Sequence, residues 1–317
     1  MITIFTIPKA FDGHINIIQR NAIRSWTRLT PQCQVILCGN DSGTEDIARE
    51  FNVECIPHIA RNEFGTPLLS SAFLEVKKAA VNNVLCYVNG DIIFLSDFAS
   101  STKRVNMKQC LIIGNRWNID IKDSIDFGSV NWELKLRERV KEIGSLQPPM
   151  GSDYFIFRKD EALADIPPFA VGRPGWDNWF IYNARKSKYK VLDASEAIMA
   201  IHQNHDTGHI RIEPSEKPRK MNWEGWQGWE APEIRKQGEL LKAHQPFGHQ
   251  ELFRLLDATH ILTEKKLNAA VDYQHLRRAF DTLPIFYPRL RPIVDFINTY
   301  VVANIRRYRY EGGSGNR

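Results

Sequence analysis

The chain has 317 residues, of which 43% are hydrophobic and 25% are charged, a composition typical of a globular protein with one large domain and a smaller appendage. Its formal net charge of +5 suits an enzyme for anionic substrates as well as a weak membrane or nucleic-acid binder. The basic residues are dispersed and no zinc knuckle or RNP-like run appears, so we expect no nucleic-acid partner. No apolar run approaches the ~18 residues of a transmembrane helix.

The cysteines and the first residues bear on the compartment. The five cysteines stand singly and complete neither a zinc site nor an even set of disulfides, which indicates a reducing environment. An apolar strand is predicted from residue 2 onward, with no basic segment before it, so we expect no signal peptide. We therefore expect a cytoplasmic protein, free or peripheral at the inner face of a membrane.

The first 94 residues alternate between short apolar runs and amphipathic stretches. Such alternation is typical of a right-handed, mostly parallel α/β sheet flanked by helices. The predicted strands are 2–7, 34–38, 52–56 and 84–88, and the predicted helices are 13–28, 44–51 and 68–80, with Thr44 as an N-cap.

The fourth strand ends in the polar triplet Asn89-Gly90-Asp91 before the apolar run resumes. Ligands bind at the carboxyl edge of open α/β sheets, and two oxygen-bearing side chains one residue apart can face the same Mg²⁺ or Mn²⁺. Glycine between them allows a sharp bend and a close approach by a ligand. The alternative for these three residues is an ordinary Asn-Gly turn.

Two further polar residues are expected at the same edge. Asp41 follows the second strand and could accept hydrogen bonds from a nucleobase or a ribose, or it could be a solvated loop residue. Arg61 precedes the third predicted helix, where a diphosphate could bind, although an exposed arginine is the alternative.

The second half of this region is less regular. The predicted strands are 110–113, 191–193 and 197–201, and residues 151–157 form a glycine turn that leads into a further strand. The predicted helices are 131–143 and 179–184. Asp153 enters a strand after a glycine turn, and Asp177 lies at or before the first turn of a helix, where it could also be a plain N-cap. His202 and His205 follow the last strand as candidate metal ligands or as ordinary polar residues.

Beyond residue 210 the sequence changes character. A segment with three tryptophans in 222–229 could form a sugar platform or pack in the core, and residues 232–281 are predicted to be helical. The stretch 284–311 is basic and amphipathic, so it could rest on an anionic membrane or pack back on the protein. We interpret 312–317 as an added Gly/Ser linker.

Taken in this order, the motifs resemble those of nucleotide-sugar-dependent glycosyltransferases of the GT-A fold, family 2-like. Asn89-Gly90-Asp91 resembles their D-x-D motif, with asparagine in place of the first aspartate. The segment around Asp177 resembles the one that carries their catalytic carboxylate, and His202 resembles their late metal-binding histidine. The resemblance covers roughly residues 1–210.

The resemblance implies a domain plan and a reaction. A GT-A-like catalytic domain would span 1–210, with a nucleotide-binding half at 1–94 and an acceptor half at 95–210. A tryptophan-rich and helical extension would follow at 211–311. The reaction would move a sugar from a nucleotide-diphosphate sugar to a hydroxyl of a glycan or glycolipid, as in polysaccharide biosynthesis.

The resemblance also implies roles for individual residues. Asp177 would be the general base of an inverting displacement. A Mn²⁺ or Mg²⁺ cofactor would be held by Asp91, Asn89 and His202. The nucleotide sugar would contact Pro8, Asp41, Arg61, Asn89, Gly90 and Asp91, and the acceptor or the donor sugar would contact Asp153, Trp176 and His205.

Two alternatives stay open at this point. A sugar nucleotidyltransferase also combines such a sheet with a metal, but it usually opens with a glycine-rich phosphate loop, which residues 8–13 lack. A non-catalytic carbohydrate- or membrane-binding scaffold of the same fold is the other alternative, because Asn89 offers a weaker metal contact than an aspartate.

Overall fold

The computed structural model of the chain describes residues 1–105, 108–147, 152–159, 162–205, 232–244, 258–262 and 267–269. The predictions for the tryptophan-rich segment, the basic tail 284–311 and the linker concern residues outside these ranges. The chain divides into two units, Met1–Leu267 and Asn268–Arg317. Apart from the last strand, everything below belongs to the first unit.

The described residues alternate between strands and helices. The strands are β1 (Ile2–Thr6), β2 (Gln34–Cys38), β3 (Glu54–Ile56), β4 (Val84–Val88), β5 (Ile92–Ile93), β6 (Cys110–Ile113), β7 (Arg116–Ile119), β8 (Ser145–Leu146), β9 (Tyr154–Arg158), β10 (Lys190–Asp193), β11 (Ala200–Gln203), β12 (His260–Leu262) and β13 (Leu267–Ala269). The helices are α1 (Gly13–Thr27), α2 (Thr44–Phe51), α3 (Leu69–Ala79), α4 (Ser96–Lys103), α5 (Trp132–Ile143), α6 (Trp176–Lys186) and α7 (Pro232–His244), with a 3₁₀ turn at Ala162–Ala164.

The larger sheet places the strands in the order β12-β10-β6-β9-β4-β1-β2-β3. Strands β1, β2, β3 and β4 are parallel, as are β6, β10 and β12, while β9 runs antiparallel to both of its neighbours. The carboxyl ends of the parallel strands and the beginning of β9 therefore share one edge. The predicted fold class, a mostly parallel sheet flanked by helices, is confirmed.

A smaller sheet lies next to that edge, in the order β5-β11-β7-β8. Strand β5 follows the Asn89–Asp91 triplet and pairs antiparallel with β11, with Ile92 opposite His202 and Ile93 opposite Ile201. Strand β11 also pairs in parallel with β7. This sheet brings the histidines at the end of β11 back to the loop that follows β4.

Both faces of the larger sheet are covered, which explains the unbroken apolar runs of its strands. Side chains alternate between the faces, so that Phe5 packs with α3 and α6 while Ile4 packs with α1 and α2. A stacked aromatic pair, Phe73 and Phe157 with ring centroids 5.5 Å apart, lies at the centre of the first layer. A rigid two-layer core therefore supports the carboxyl edge.

Several predictions of local structure differ from the observed fold. The last predicted strand, 197–201, is instead Ala200–Gln203, so His202 lies within it and does not follow it. Helix α2 begins after Gly43, whose φ of 85° suits glycine, so Thr44 is its first residue and not its N-cap. Helix α6 begins at Trp176, three residues earlier than predicted. The helix predicted over 232–281 is correct at 232–244 but wrong at 260–262, where β12 pairs with β10, and at 267–269, because strand pairing overrides local propensity.

Among the residues that the structure describes, no helix is both long and apolar enough to cross a lipid bilayer.

Candidate active site

A cleft of about 580 Å³ opens where the parallel strands of the larger sheet end. Nine of the eleven site residues predicted from the sequence line it: Pro8, Asp41, Arg61, Asn89, Gly90, Asp91, Asp153, His202 and His205. The other two, Trp176 and Asp177, are not among the described residues that line the cleft. The lining carries both signs of charge, since Lys9, Arg116 and Arg173 also belong to it.

The most compact group in the cleft consists of Asp91, His202 and His205. One potential ligand atom from each of the three lies within 4.8 Å of the others. The Nε2 atoms of His205 and His202 lie 3.0 and 3.6 Å from Oδ2 of Asp91. Burial opposes ionisation of Asp91, but the two imidazole rings outweigh it and hold the pKa of this carboxyl well below its usual range.

This group has the donor set of a divalent cation site. Oδ1 of Asp91 and Nδ1 of His202 are buried and have no hydrogen-bond partner among the described residues. A carboxylate with unsatisfied capacity beside two imidazoles suits a divalent transition-metal ion. Local structure explains the convergence, because Asp91 ends the loop after β4 and the histidines belong to or follow the neighbouring strand β11.

Asn89, the first residue of the triplet, contacts Asp153 and not the histidines. Its Nδ2 donates to Oδ1 of Asp153 at 2.7 Å, and its backbone N–H donates to the carbonyl of Asp153 at 2.9 Å. Arg116 donates to the same Oδ1 at 2.6 Å. Asp153 is therefore held between a neutral amide and a guanidinium at the beginning of β9.

Asp41 and Arg61 form an ion pair in the lining of the cleft. Arg61 Nη2 lies 3.1 Å from Oδ2 of Asp41 and also donates to Asn40, and its Nη1 donates to the carbonyl of Gly65 at 2.7 Å. Both charged side chains are about one-third exposed, at 31% each. The structure thus brings the two residues together as an ion pair that borders the cleft.

Asp177 lies in the first turn of α6 and interacts electrostatically with Asp153. Burial raises its pKa to about 6, the negative charge of Asp153 adds to the rise, and the backbone N–H groups of Asn178, Asp177 and Ser152 oppose it. Two carboxyl groups in different environments thus lie near each other, one held by an arginine and one partly protonated near neutral pH.

Trp176, the residue before Asp177, is buried and packs in the core. Its ring lies 5.1 Å from the rings of both Tyr87 and Phe155, measured between centroids. Its side chain is only 6% exposed, so the contact with a sugar that the resemblance implied remains a prediction.

Sequence reasoning missed several residues that shape the cleft. Gln19 is buried in α1 and bonds both the N–H and the carbonyl of Lys9, at 2.7 and 2.9 Å, which fixes the loop after β1. A Cβ on Gly90 would lie 3.0 Å from Oε1 of Gln19, so the triplet packs closely against this side chain. A glutamine on the apolar face of α1 is the only sequence signal for this role.

Helix α7 supplies the other missed contribution. Glu233 bonds Arg173 at 2.7 Å and Asn62 at 2.7 Å, and Arg173 also lies 3.4 Å from Oγ1 of Thr66. One carboxylate thereby joins the loop before α3 to the loop before α6. These partners are separated by at least 60 residues, so no local pattern indicates them.

Among known proteins, only solved structures were found to be similar to this chain. No family model matches the chain, and no curated protein does. The matching solved structures include GalNAc-T7 with UDP, GalNAc and Mn²⁺, at a TM-score of 0.46 and 11% identity over 76% of this chain and 48% of that one. The chain thus spans about half the length of that protein.

Two further matches come from microorganisms. Glucosyl-3-phosphoglycerate synthase of M. tuberculosis has a TM-score of 0.44 and 12% identity, over 78% of this chain and 81% of that one. The mannosyltransferase PcManGT from Pyrobaculum calidifontis, in complex with GDP-Man and Mn²⁺, has a TM-score of 0.40 and 13% identity, over 65% and 58%.

Proposed function

We propose that the chain is a metal-assisted glycosyltransferase that moves a sugar from a nucleotide-diphosphate sugar to a hydroxyl of a glycan or glycolipid. The observation that carries the proposal is the convergence of Asp91, His202 and His205 in a cleft that also contains Asp41, Arg61 and Asp153. A cation site next to a charged cleft at the carboxyl edge of a parallel sheet is suited to a nucleoside diphosphate.

The donor half of the reaction depends on the residues near β1, β2 and β4. Asp91, His202 and His205 would hold the cation, with Asn89 as a further candidate ligand from the sequence. When bound, a divalent cation supplies positive charge that stabilises the departing diphosphate. Asp41 would accept hydrogen bonds from the ribose or the base, and Arg61, now paired with Asp41, would turn toward phosphate.

The acceptor half depends on Asp177, one of the two neighbouring carboxyl groups. Asp177 would take the proton from the acceptor hydroxyl as it attacks the anomeric carbon, which inverts that centre in one displacement. A pKa of about 6 supports this role, because a general base is most effective when its pKa lies near the working pH. Asp153 would orient a sugar hydroxyl, and the tail 284–311 would bring the enzyme to an anionic membrane.

Calorimetry with UDP, GDP, CDP and dTDP tests the donor half directly. We expect one of them to bind in the presence of Mn²⁺ and to bind at least tenfold more weakly without it, by the loss of charge neutralisation at the diphosphate. Asp91→Asn is the matched variant, since it removes one charge and keeps the size of the side chain. If no nucleotide binds under either condition, the proposal fails.

A panel of sugar nucleotides then tests the reaction itself. Slow hydrolysis of one member identifies the donor sugar, and Asp177→Asn should abolish transfer while nucleotide binding survives. Release of pyrophosphate from a nucleoside triphosphate and a sugar phosphate would instead indicate a sugar nucleotidyltransferase.

A further inference from the structure

We infer that Asn89 is a positioning residue for Asp153, and that position 89 requires an uncharged donor because Asp153 lies against it. The side-chain contact, Nδ2 to Oδ1 at 2.7 Å, is supported by a backbone contact between the same two residues at 2.9 Å. These contacts join the loop after β4 to the beginning of β9. The identity of the ligand that Asp153 meets rests on the proposed function.

Charge explains why an amide is needed at position 89. An aspartate there would place a second carboxylate within hydrogen-bond distance of Asp153, in a site where the side chain of Asp153 is only 12% exposed. Arg116 is the one cation in contact with this carboxylate among the described residues, and it could not neutralise both. An asparagine donates a hydrogen bond and adds no charge.

The contacts of Arg116 show that the arrangement is built from several elements. Its Nη1 donates to Asp153 at 2.6 Å, while its Nε donates to Oδ1 of Asn118 at 3.0 Å. Asn118 in turn donates to Gln147 at 2.8 Å. The guanidinium is therefore oriented by strand β7, and Asp153 is oriented by both Arg116 and Asn89.

Both donors reach the same oxygen of Asp153. Oδ1 accepts from Asn89 and from Arg116, whereas no hydrogen bond from the described residues reaches Oδ2. Since Asp153 lines the cleft, Oδ2 is the acceptor that remains for a hydroxyl group of a ligand. Asn89 lies two residues from Asp91, so that hydroxyl belongs to the sugar attached to the diphosphate, which is the donor sugar.

The cation does not require Asn89 in this arrangement. Asp91, His202 and His205 already offer three ligand atoms within 4.8 Å, and two of these residues keep buried atoms without partners among the described residues. We therefore assign the two polar ends of the triplet to different tasks. Asp91 holds the cation, and Asn89 holds the carboxylate that recognises the sugar.

A double-mutant cycle tests the contact without metal or nucleotide. Asn89→Asp should lower the melting temperature by at least about 3 °C, because it sets two carboxylates against each other. Adding Asp153→Asn exchanges donor and acceptor, and should recover at least half of that loss. Asn204→Asp is the matched control, since Asn204 donates to Asp120 at 2.7 Å in an exposed pair, where solvent screening keeps the loss small.

Equal stability of the wild type and Asn89→Asp, or additive losses in the double variant, would overturn the inference. Because this cycle uses the metal-free protein, it decides the matter even if the proposed function fails.

Binding measurements separate positioning from metal ligation. For Asn89→Ala and Arg116→Gln we expect the affinity for Mn²⁺ to stay within about threefold of the wild type, while Asp91→Asn lowers it at least about tenfold. Asn89→Ala and Arg116→Gln should each weaken binding of the sugar nucleotide at least about tenfold. Neither should change binding of the plain nucleoside diphosphate. A loss of Mn²⁺ affinity in Asn89→Ala as large as in Asp91→Asn would make Asn89 a ligand and overturn the assignment.

Discussion

Replacing Asp177 by asparagine should stabilise the protein at neutral pH while it removes the proposed general base. The carboxyl has an ordinary pKa of 3.8 when the chain is unfolded and a pKa of about 6 in the fold, mainly because the fold partly removes it from water and secondly because it lies near Asp153. Each tenfold change in the acid constant corresponds to about 1.4 kcal/mol, so ionised Asp177 lowers the free energy of unfolding by about 3 kcal/mol. Asparagine keeps an acceptor oxygen for the backbone N–H groups and carries no charge.

The pH dependence follows from the sign of this shift. Between about pH 4 and pH 6 the folded protein binds the proton more tightly than the unfolded chain, so wild-type stability falls as the pH rises through this window. Above about pH 7 the loss is complete and stays constant. The difference in stability between Asp177→Asn and the wild type should therefore be near zero at pH 4 and about 3 kcal/mol above pH 7.

Urea denaturation of both proteins at several pH values between 4 and 8 measures this difference. Taking the difference cancels the contributions of the other titrating groups. The reasoning is refuted if Asp177→Asn is no more stable than the wild type at pH 7.5, or if the difference does not change with pH.

Three further predictions concern the cleft. Asp91→Asn should abolish the rise in melting temperature that Mn²⁺ causes, measured by differential scanning fluorimetry, and an unchanged rise would exclude this residue as a ligand. Gly90→Ala should cost about 1–2 kcal/mol in urea denaturation, because the new methyl group would meet Gln19 at 3.0 Å, and a neutral effect would show that Gln19 can move away. Glu233→Gln should speed amide exchange in 62–66 and 171–173, because its ion pair with Arg173 at 2.7 Å joins these loops, and unchanged exchange would contradict that role.

The positions of the polar site residues could be predicted because they depend on a single geometric rule. Parallel strands end at one edge, so residues that directly follow apolar runs meet there, as Asp41 and Asp91 do. The position of His202 does not follow from this rule alone, because His202 reaches the cleft through the smaller sheet. The strands of that sheet are too short to show periodicity in the sequence. The residues close to strand ends were therefore accessible from the sequence.

The partners of those residues were not accessible in the same way. Arg116 and Asp153 are 37 residues apart, and Glu233 and Arg173 are 60 apart, and each pair forms only when distant elements pack together. The sequence also offered no means to see that the amide of Asn89 donates to a carboxylate. Such contacts depend on side-chain orientation, which hydrophobic periodicity does not determine.

The smaller sheet has a consequence for how the cation would be held. Asp91 directly precedes β5, and His202 lies in β11, so two of the proposed ligands sit on hydrogen-bonded neighbours whose residues pair as Ile93 with Ile201. The pairing of β5 with β11 then arranges the ligands before the cation binds. By reciprocal linkage, binding of the cation must also strengthen this strand pairing. Amide exchange at Ile93 and Ile201 should slow when Mn²⁺ is added. The side chain of Ile93 does not belong to the ligand set. A substitution that leaves a cavity at Ile93 should still weaken Mn²⁺ binding, because it loosens the pairing of β5 with β11.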